Sequence, residues 1–320
     1  MGALSSARGR LLACVAALLV ACSSGAEQAA PSSDGTAPRP TASASSPPIT
    51  ASASVATSTP DDQTITLTKQ FAAVGDKETR TKVKDLDLTL EFVASGKASS
   101  EHSIEHGTVE KLAEVKAVDG EMVTKLLVEY RRHEKVREGS KGKADEKSPV
   151  AGKSYFVELK GKHVVITSLD GKVPPTAELE ELKEDHKNFG KGPELLKAFP
   201  PKVKVGDSLD EFAKVFSVAA AGGPQGKSDI KSATAKVVGV RDEKGIKIVT
   251  LAIDIRMEGE LRSGMKGKVA MAGTIDIRAD RCWPVASKVA GPVEFSFEGK
   301  GVSGSGKGKL SEVTSAVHTP

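Results

Sequence analysis

Two histidines and two glutamates lie together near residue 100, and both side-chain types bind metal ions. The cluster consists of Glu101, His102, Glu105 and His106. Residues four apart can share one face of a helix or a strand, so two imidazoles and two carboxylates could bind zinc for hydrolysis. The cluster lies in a polar stretch, and no further ligand is identified. A solvated loop is the favoured interpretation, and no metal site is predicted.

Two serine and lysine pairs have the spacing found in serine acyl-enzymes. Ser140 precedes Lys143 and Ser228 precedes Lys231, in segments rich in glycine and lysine. A catalytic lysine needs burial that lowers its pKa, whereas these lysines are expected to be hydrated and charged. The spacing is attributed to chance. The sequence has no GxSxG around a serine and no HExxH, so no catalytic residue is predicted.

The glycine-rich segment near residue 300 matches two phosphate-binding patterns in part. Gly301, Gly306 and Lys307 have the spacing of a P-loop, but Gly308 stands where a serine or threonine should ligate magnesium. The pattern GxGxxG begins at Gly299, but no helix is predicted after it to supply a positive N-terminus. Glycine-rich turns between strands explain both matches, and no cofactor is predicted.

The beginning of the sequence has the features of a secretory signal. Residues 1–10 form a short basic segment, and residues 11–20 are almost wholly apolar. An apolar run of about twelve residues is too short for a transmembrane helix, which takes about 20 residues. A permanent transmembrane anchor is therefore not expected.

The apolar run ends in Leu19-Val20-Ala21-Cys22, which resembles the lipobox of bacterial lipoproteins. The resemblance implies a signal peptide of residues 1–21, cleavage before Cys22 by the lipoprotein signal peptidase, and diacylation of the Cys22 thiol. Cys22 is thus the predicted lipid attachment site, through which membrane lipid is a partner. Each buried CH₂ contributes about 0.8 kcal/mol, so two or three acyl chains make dissociation slow.

Ser23 and Ser24 bear on which membrane holds the anchor. They stand where some Gram-negative lipoproteins carry an aspartate that retains them in the inner membrane. This resemblance favours the outer membrane, with the protein facing the periplasm or the cell surface.

The three cysteines leave no intramolecular pair. Cys14 is removed with the signal peptide and Cys22 carries lipid, which leaves Cys282 alone. No structural disulfide is expected. A reactive thiol at Cys282 is one interpretation, but a buried, unreactive cysteine is favoured because no convincing histidine partner lies nearby in sequence.

Composition argues against nucleic acid as a partner. The formal net charge is +4, and two of these charges, on Arg8 and Arg10, lie in the signal peptide. Aromatic residues make up 4% of the sequence, which leaves little material for stacking on bases. Residues 22–62 are built from Ser, Ala, Pro, Thr and Gly and cannot bury enough apolar surface to fold, so they are expected to form a flexible tether.

Residues 63–320 have a mainly β pattern. Leu86, Leu88 and Leu90 alternate with polar residues, which indicates a half-buried strand. Asp119-Gly120 and Lys160-Gly161 lie between apolar runs and are typical of hairpins. Further alternating runs occupy residues 235–255, 268–277, 284–297 and 308–317. The expected fold is a large antiparallel curved sheet, half-barrel or sandwich-like, with one mid-chain helix.

Two hairpins resemble each other in sequence. Residues 115–131 and residues 237–256 both contain an apolar run, a polar turn and a second apolar run that ends in arginine. Two similar halves, residues 63–175 and 203–320, joined by a helical segment are one interpretation. Chance similarity between amphipathic hairpins is the other.

The predicted mid-chain helix begins at Thr176, which can cap it, and has glutamates near its positive end. Its buried face is expected to consist of Leu179, Leu182, His186 and Phe189. Gly190 is positioned to end it, and residues 193–199 are expected to form another helical turn.

This architecture resembles half-barrel envelope proteins that hold lipids or lipoproteins between a curved sheet and a helix, a likeness of fold alone. The prediction is a non-enzymatic envelope lipoprotein that binds an apolar ligand or lipid, with the helix as a lid. The alternatives are a structural or protein-interaction lipoprotein with a filled sheet interior, which would bind another envelope protein, and a metal-dependent hydrolase that uses residues 101–106. The charged run 131–147 is expected to be solvated, with contact to anionic headgroups as its alternative.

Overall fold

The computed structural model describes residues 64–94, 96–140, 142–161, 163–187, 189–190, 194–220, 227–262, 265–299 and 302–319. The strands are β1 (Ile65–Thr66), β2 (Lys77–Ala94), β3 (Lys97–Asp119), β4 (Met122–Gly139), β5 (Gly142–Lys147), β6 (Lys153–Lys160), β7 (His163–Ser168), β8 (Lys202–Val203), β9 (Lys227–Glu243), β10 (Ile246–Arg262), β11 (Met265–Arg278), β12 (Pro284–Gly299) and β13 (Val302–Thr319). The helices are α1 (Thr176–Asp185), α2 (Glu194–Lys197) and α3 (Asp210–Ala220).

The alternation in β2 sets one face of the sheet apart from the other. Leu86, Leu88, Leu90 and Phe92 are buried, whereas Asp87 and Glu91 between them are exposed. Successive side chains of a strand point to opposite faces, so this pattern fixes which side of the sheet is covered. We name the side of the four apolar residues the inner face and the opposite side the outer face.

Eleven strands form one open antiparallel sheet. Their order is β7-β6-β4-β3-β2-β13-β12-β11-β10-β9, and β5 pairs with β4. β2 and β13 pair along their full length, from Lys77 opposite Thr319 to Ala94 opposite Val302. β1 and β8 form a separate two-stranded sheet. The predicted mainly β fold with a large antiparallel sheet is confirmed, while the similarity of the two halves stays a prediction.

The hairpin predictions are also confirmed. Gly120 has φ +58° and lies in the turn between β3 and β4, and Gly161 has φ +62° at the end of β6. Gly245 has φ +83° and connects β9 to β10. Glycine adopts positive φ without the steric penalty of a Cβ atom, which is why it marks these turns.

Apolar side chains form two separate clusters. The larger one contains residues of β2, β9 to β13, α2 and α3, with Leu251 and Phe212 among its fully buried members. The smaller one lies between α1 and the strands β4, β6 and β7, around Val128, Val157 and Leu182. The charged and polar inner-face positions of β3 and β4 separate the two clusters.

The mid-chain helix differs from its prediction at both ends. It begins at Thr176 with Pro175 as the N-cap residue, and no side chain caps it, because Thr176 lies inside the helix. It ends at Asp185, so His186 and Phe189 follow it, and Gly190 with φ +77° lies in a later turn. The predicted buried face is correct in kind, since Leu182 and His186 are buried and Leu179 and Phe189 are partly buried.

The structure contains more helix than the sequence indicated. The predicted turn at residues 193–199 is present as α2, but α3 was not predicted. In α3, Phe212 and Ala213 are buried and pack in the larger cluster, and Ser208 donates a hydrogen bond to Asp210 at the start of the helix. An apolar stripe of three- and four-residue spacing is the signal that would have identified it.

Candidate functional site

The four metal-ligand candidates do not converge. All lie on β3, not in a loop, and alternation places Glu101 and Glu105 on the inner face but His102 and His106 on the outer face. His102 Nε2 lies 2.7 Å from Asp87 Oδ1. His106 Nδ1 lies 2.5 Å from Asp85 Oδ1. Among the described residues no group of three or more ligand side chains could hold a metal ion.

Glu105 is buried in a charged band on the inner face. Its carboxylate lies 2.9 Å from the Lys135 ammonium and 3.6 Å from the Arg137 guanidinium. These cations belong to the charged run at residues 131–147, which was expected to be a solvated strand end and loop; it forms the end of β4 and the strand β5, and Lys135 and Arg137 are partly buried. The inner face thus changes from apolar on β2 to charged on β3 and β4.

In the residues that the structure describes, neither serine and lysine pair has the geometry of a catalytic pair. Ser140 Oγ donates a hydrogen bond to Glu101 Oε1 at 3.1 Å, and Lys143 is exposed on β5. Lys231 is exposed and lies 3.4 Å from Asp229, while the side chain of Ser228 is outside the described residues. Exposed lysines stay protonated and are poor general bases.

Cys282 is a buried side chain in a positive-φ turn. Its φ is +58° and its exposed fraction is 1%. Burial raises the pKa of its thiol to about 11, since a thiolate would lose its hydration there. The unreactive interpretation of Cys282 agrees with this environment.

The glycine segment near residue 300 is a strand where turns were predicted. Gly304, Gly306 and Gly308 lie inside β13 and face inward between Ser303, Ser305, Lys307 and Lys309, which face outward. The phenyl ring of Phe297 lies over Gly304 and that of Phe295 lies over Gly306, where an added Cβ would approach the ring carbons to 2.6 Å and 2.3 Å. The glycines therefore make room for aromatic rings of the neighbouring strand.

A groove of about 1050 Å³ lies at the end of the large sheet where β2, β10 and β12 end and β3, β11 and β13 begin. We name this end of the sheet the hairpin end. One row of paired residues across four strands contributes to it, namely Phe92, Gly304, Phe297 and Met265. Ser100 of β3 and Glu260 of β10 also line it, although four strands lie between β3 and β10. The sheet must be curved at this end for both residues to reach one groove.

A second hollow of about 570 Å³ continues the groove along the next row of residues. It is lined by Gly306, Phe295 and Gly267, which pair across β13, β12 and β11, and it shares Lys266 with the first groove. The lining of both combines apolar inner-face residues with charged outer-face residues such as Glu91. A volume of this size is within the range of small-molecule sites, about 300–1,000 Å³.

A network of ionisable side chains joins α1 to the sheet, and the sequence did not predict it. Glu178 accepts hydrogen bonds from Lys153 Nζ and Tyr155 Oη, both at 2.6 Å. Glu181 accepts one from Ser148 Oγ, and its carboxylate lies 2.8 Å from His133 Nδ1 at an angle that does not make a hydrogen bond. Both glutamates are buried, so they do more than complement the helix dipole.

The other end of α1 makes a similar set of contacts. Asp185 accepts hydrogen bonds from Lys111 Nζ at 2.8 Å and from Tyr130 Oη. His186 Nε2 lies 3.1 Å from the same tyrosine oxygen. Periodicity predicts that His186 lies on the buried face, but it identifies neither Asp185 nor the tyrosine and lysine partners, because these are distant in sequence.

The environment between α1 and the sheet shifts the pKa values of His186, Asp185 and Tyr130. Burial lowers the pKa of His186 to about 4, and Asp185 only partly offsets that effect. Burial alone would raise the pKa of Asp185, but the charges of Lys111 and His186 and the hydrogen bonds from Lys111 and Tyr130 together outweigh it and hold the pKa well below its usual range. The Asp185 side chain keeps 29% of its exposure, so water weakens this effect. Burial and the neighbouring Asp185 carboxylate raise the pKa of Tyr130.

The comparisons with known proteins give only weak similarities. No protein-family model and no curated protein sequence matches the chain. A lipovitellin structure described by its lipid–protein interactions has TM-score 0.34 and 5% identity, and it covers 78% of this chain and 26% of its own, so the chain spans about a quarter of it. An outer membrane channel from Pseudomonas putida F1 has TM-score 0.22 and 9% identity over 78% of this chain and 97% of its own.

A third structure is DynF from the dynemicin biosynthesis pathway of Micromonospora chersina, with TM-score 0.17, 9% identity and coverage of 79% and 85%. Likenesses this weak carry no argument about function. Within the described residues, no helix is long and apolar enough to cross a membrane. The predicted lipid attachment site, Cys22, lies outside the described residues.

Proposed function

We propose that this protein is a lipid-anchored envelope lipoprotein, held at the outer membrane through Cys22, whose open β sheet binds an apolar ligand or lipid without catalysing a reaction. The anchor rests on the resemblance of residues 19–22 to a lipobox. The binding role rests on the groove at the hairpin end of the sheet.

The observation that carries the binding role is the apolar row Phe92, Phe297 and Met265 at the groove. Within the described residues, α1 packs on β3, β4, β6 and β7, and α3 packs on β9 and β10, at the other edge of the sheet. Phe92 and Met265 are 7% and 4% exposed, because they pack in the larger apolar cluster. An apolar chain could enter only by displacing side chains that can move.

The side chains here are suited to such movement. Three methionines, Met257, Met265 and Met271, lie on the inner face of β10 and β11. Methionine is unbranched and adapts to irregular apolar surfaces. The rings of Phe295 and Phe297 lie over glycines, and rotation of either ring away from its glycine would open space beside β2. The helix α1, predicted as the lid, covers the smaller cluster and not this groove.

A protein-interaction role is the second candidate, and the filled interior favours it. The apolar residues of β2, β10 and β11 are already buried by the protein itself, and a packed sheet interior was the expectation for an interaction lipoprotein. The groove would then contact a segment of another envelope protein. A hydrolase that uses residues 101–106 gains no support, because these residues point to opposite faces.

Photo-crosslinking in intact cells tests the two candidates with the full chain. Benzoylphenylalanine at Phe297 or Met265 should give adducts with the mass of a lipid after irradiation, as measured by mass spectrometry. The control position is Val313 on the outer face of β13, which is 44% exposed and away from the groove and should give none. Protein-sized adducts at Phe297 would support the interaction role. Equal lipid adducts at Phe297 and Val313, or no adduct at either groove position, would refute binding at the groove.

A further inference from the structure

The helix α1 packs on the sheet through one face that is mostly ionisable. Glu178, Glu181, Leu182, Asp185 and His186 follow each other at intervals of three, one, three and one residues, so they lie on the same side. Leu182 is fully buried, and it is the one apolar residue among the five. Each of the other four contacts a polar side chain of the sheet or of the loop before β6. Leu179 and the following Phe189 add partly buried apolar contacts, and the polar contacts that complete the docking of the helix depend on protonation.

We propose that α1 is an acid-released latch, which undocks from the sheet when its inward face is protonated while the rest of the sheet stays folded. This proposal concerns the smaller cluster and does not depend on the ligand-binding role of the groove. Undocking would uncover the apolar patch of Val128, Val157 and Ile166 beside the edge strand β7.

The groups that face α1 come from every element packed against it. They are Lys111 on β3, Tyr130 and His133 on β4, Ser148 in the loop before β6, and Lys153 and Tyr155 on β6. β7 contributes the apolar Ile166. In the docked state two lysines pair with carboxylates, and both tyrosines donate to carboxylates. Neutral carboxyl groups would lose the ion pairs with Lys111 and Lys153.

The direction of the pH effect follows from the docked groups. The pKa of His186 is lowered to about 4 in the docked state, so an undocked helix binds a proton more readily below about pH 6.5. Burial opposes ionisation of Glu178 and Asp185, but their hydrogen bonds and the lysine charges keep both pKa values lowered. All three groups therefore favour docking at neutral pH and lose this effect as pH falls. His186 alone shifts the equilibrium on the order of 100-fold between pH 7 and pH 4.

The segments on either side of α1 can absorb the movement. Gly171 before the helix has φ +79° and Gly190 after it has φ +77°, and neither residue lies in a strand or helix. Leu169 and Val173 are 60% and 69% exposed, so the chain around Gly171 is not fixed by burial, whereas Pro174 next to α1 is buried and would move with the helix. Few buried contacts and irregular backbone are typical of regions that open locally.

The placement of the aromatic residues provides a direct test. Both tyrosines of the chain, Tyr130 and Tyr155, lie under α1, whereas Trp283 lies in the connection between β11 and β12, with its Nε1 donating to the Gln70 carbonyl at 2.8 Å. Near-ultraviolet circular dichroism of the tyrosines therefore reports α1, and tryptophan emission reports the rest. We expect the purified full chain in detergent micelles to lose its tyrosine signal between about pH 6.5 and pH 4 before tryptophan emission changes.

Two variants and one control make the test specific. His186→Gln removes a group that gains a proton on undocking, so the midpoint should fall by about one pH unit. Glu178→Gln copies the protonated carboxyl, so the midpoint should rise. Glu180→Gln alters an exposed glutamate of the same helix and should match the unmodified chain. A single transition of tyrosine and tryptophan together, a tyrosine signal that persists to pH 4, or equal midpoints for all variants would overturn the latch.

Discussion

The row of glycines in β13 leads to a graded stability prediction. An alanine Cβ at Gly308 would lie 1.9 Å from the Asp87 carbonyl oxygen, which belongs to the paired strand β2 and cannot move alone. At Gly306 the Cβ would lie 2.3 Å from Cζ of Phe295, a ring that can rotate. At Gly239 of β9 the Cβ would meet nothing within 4 Å. The three substitutions have the same chemistry and differ in what the new methyl group meets.

The free energy of unfolding should follow this order. Gly308→Ala should lower it by about 3 kcal/mol or more, since strand β2 must shift, and Gly306→Ala by about 1–2 kcal/mol. Gly239→Ala should leave it unchanged or raise it by up to about 1 kcal/mol, because glycine loses more backbone entropy on folding. Urea unfolding followed by Trp283 emission measures all three. If Gly308→Ala unfolds within about 0.5 kcal/mol of Gly239→Ala, the close approach of β2 to β13 is wrong.

Further predictions concern the anchor, the tether and two buried side chains. Cys22→Ala should block processing and lipid attachment, and mature detergent-phase protein of unchanged mass would contradict the lipobox. Removal of residues 1–62 should leave a cooperatively unfolding domain whose mobility is unaffected by reduction, and loss of cooperativity would refute an independent tether. Leu182→Ala should destabilise α1 by about 3 kcal/mol and reduce the tyrosine dichroism, whereas the exposed Glu180→Ala should not. Cys282 should resist alkylation at about pH 8 until urea exposes it, and equal labelling of native protein would contradict its burial.

The sequence allowed the sheet to be predicted but not all of its parts. Alternation in β2 and the Asp119-Gly120 turn signalled strands and hairpins because each depends on residues close in sequence. β13 was partly misread, since its inward positions are glycines and show no apolar alternation. The rings of Phe295 and Phe297 supply the missing apolar surface from the neighbouring strand. Glycine alternating with serine and lysine indicates a strand here, whereas the glycine content alone predicts turns.

The candidate sites were harder to predict because their partners are distant in sequence. Glu178 lies 23 residues from Tyr155, and Asp185 lies 55 residues from Tyr130. Glutamates near a helix N-terminus are explained by the dipole alone, so their burial could not be inferred. For residues 101–106 the sequence left helix, strand and loop open. On a strand the two glutamates point to one face and the two histidines to the other, so the four side chains cannot surround one metal ion.

The pairing of β2 with β13 has a consequence for how the protein folds. β13 is the last described strand along the chain, yet it lies near the middle of the sheet between β2 and β12. The sheet therefore cannot be completed from one end to the other as the chain emerges, and its contact order is high, which slows folding. A chain that stops before Val302 would lose a central strand and expose two long unpaired edges. Such edges promote aggregation, so shortened products of this protein are expected to aggregate before they bind any ligand.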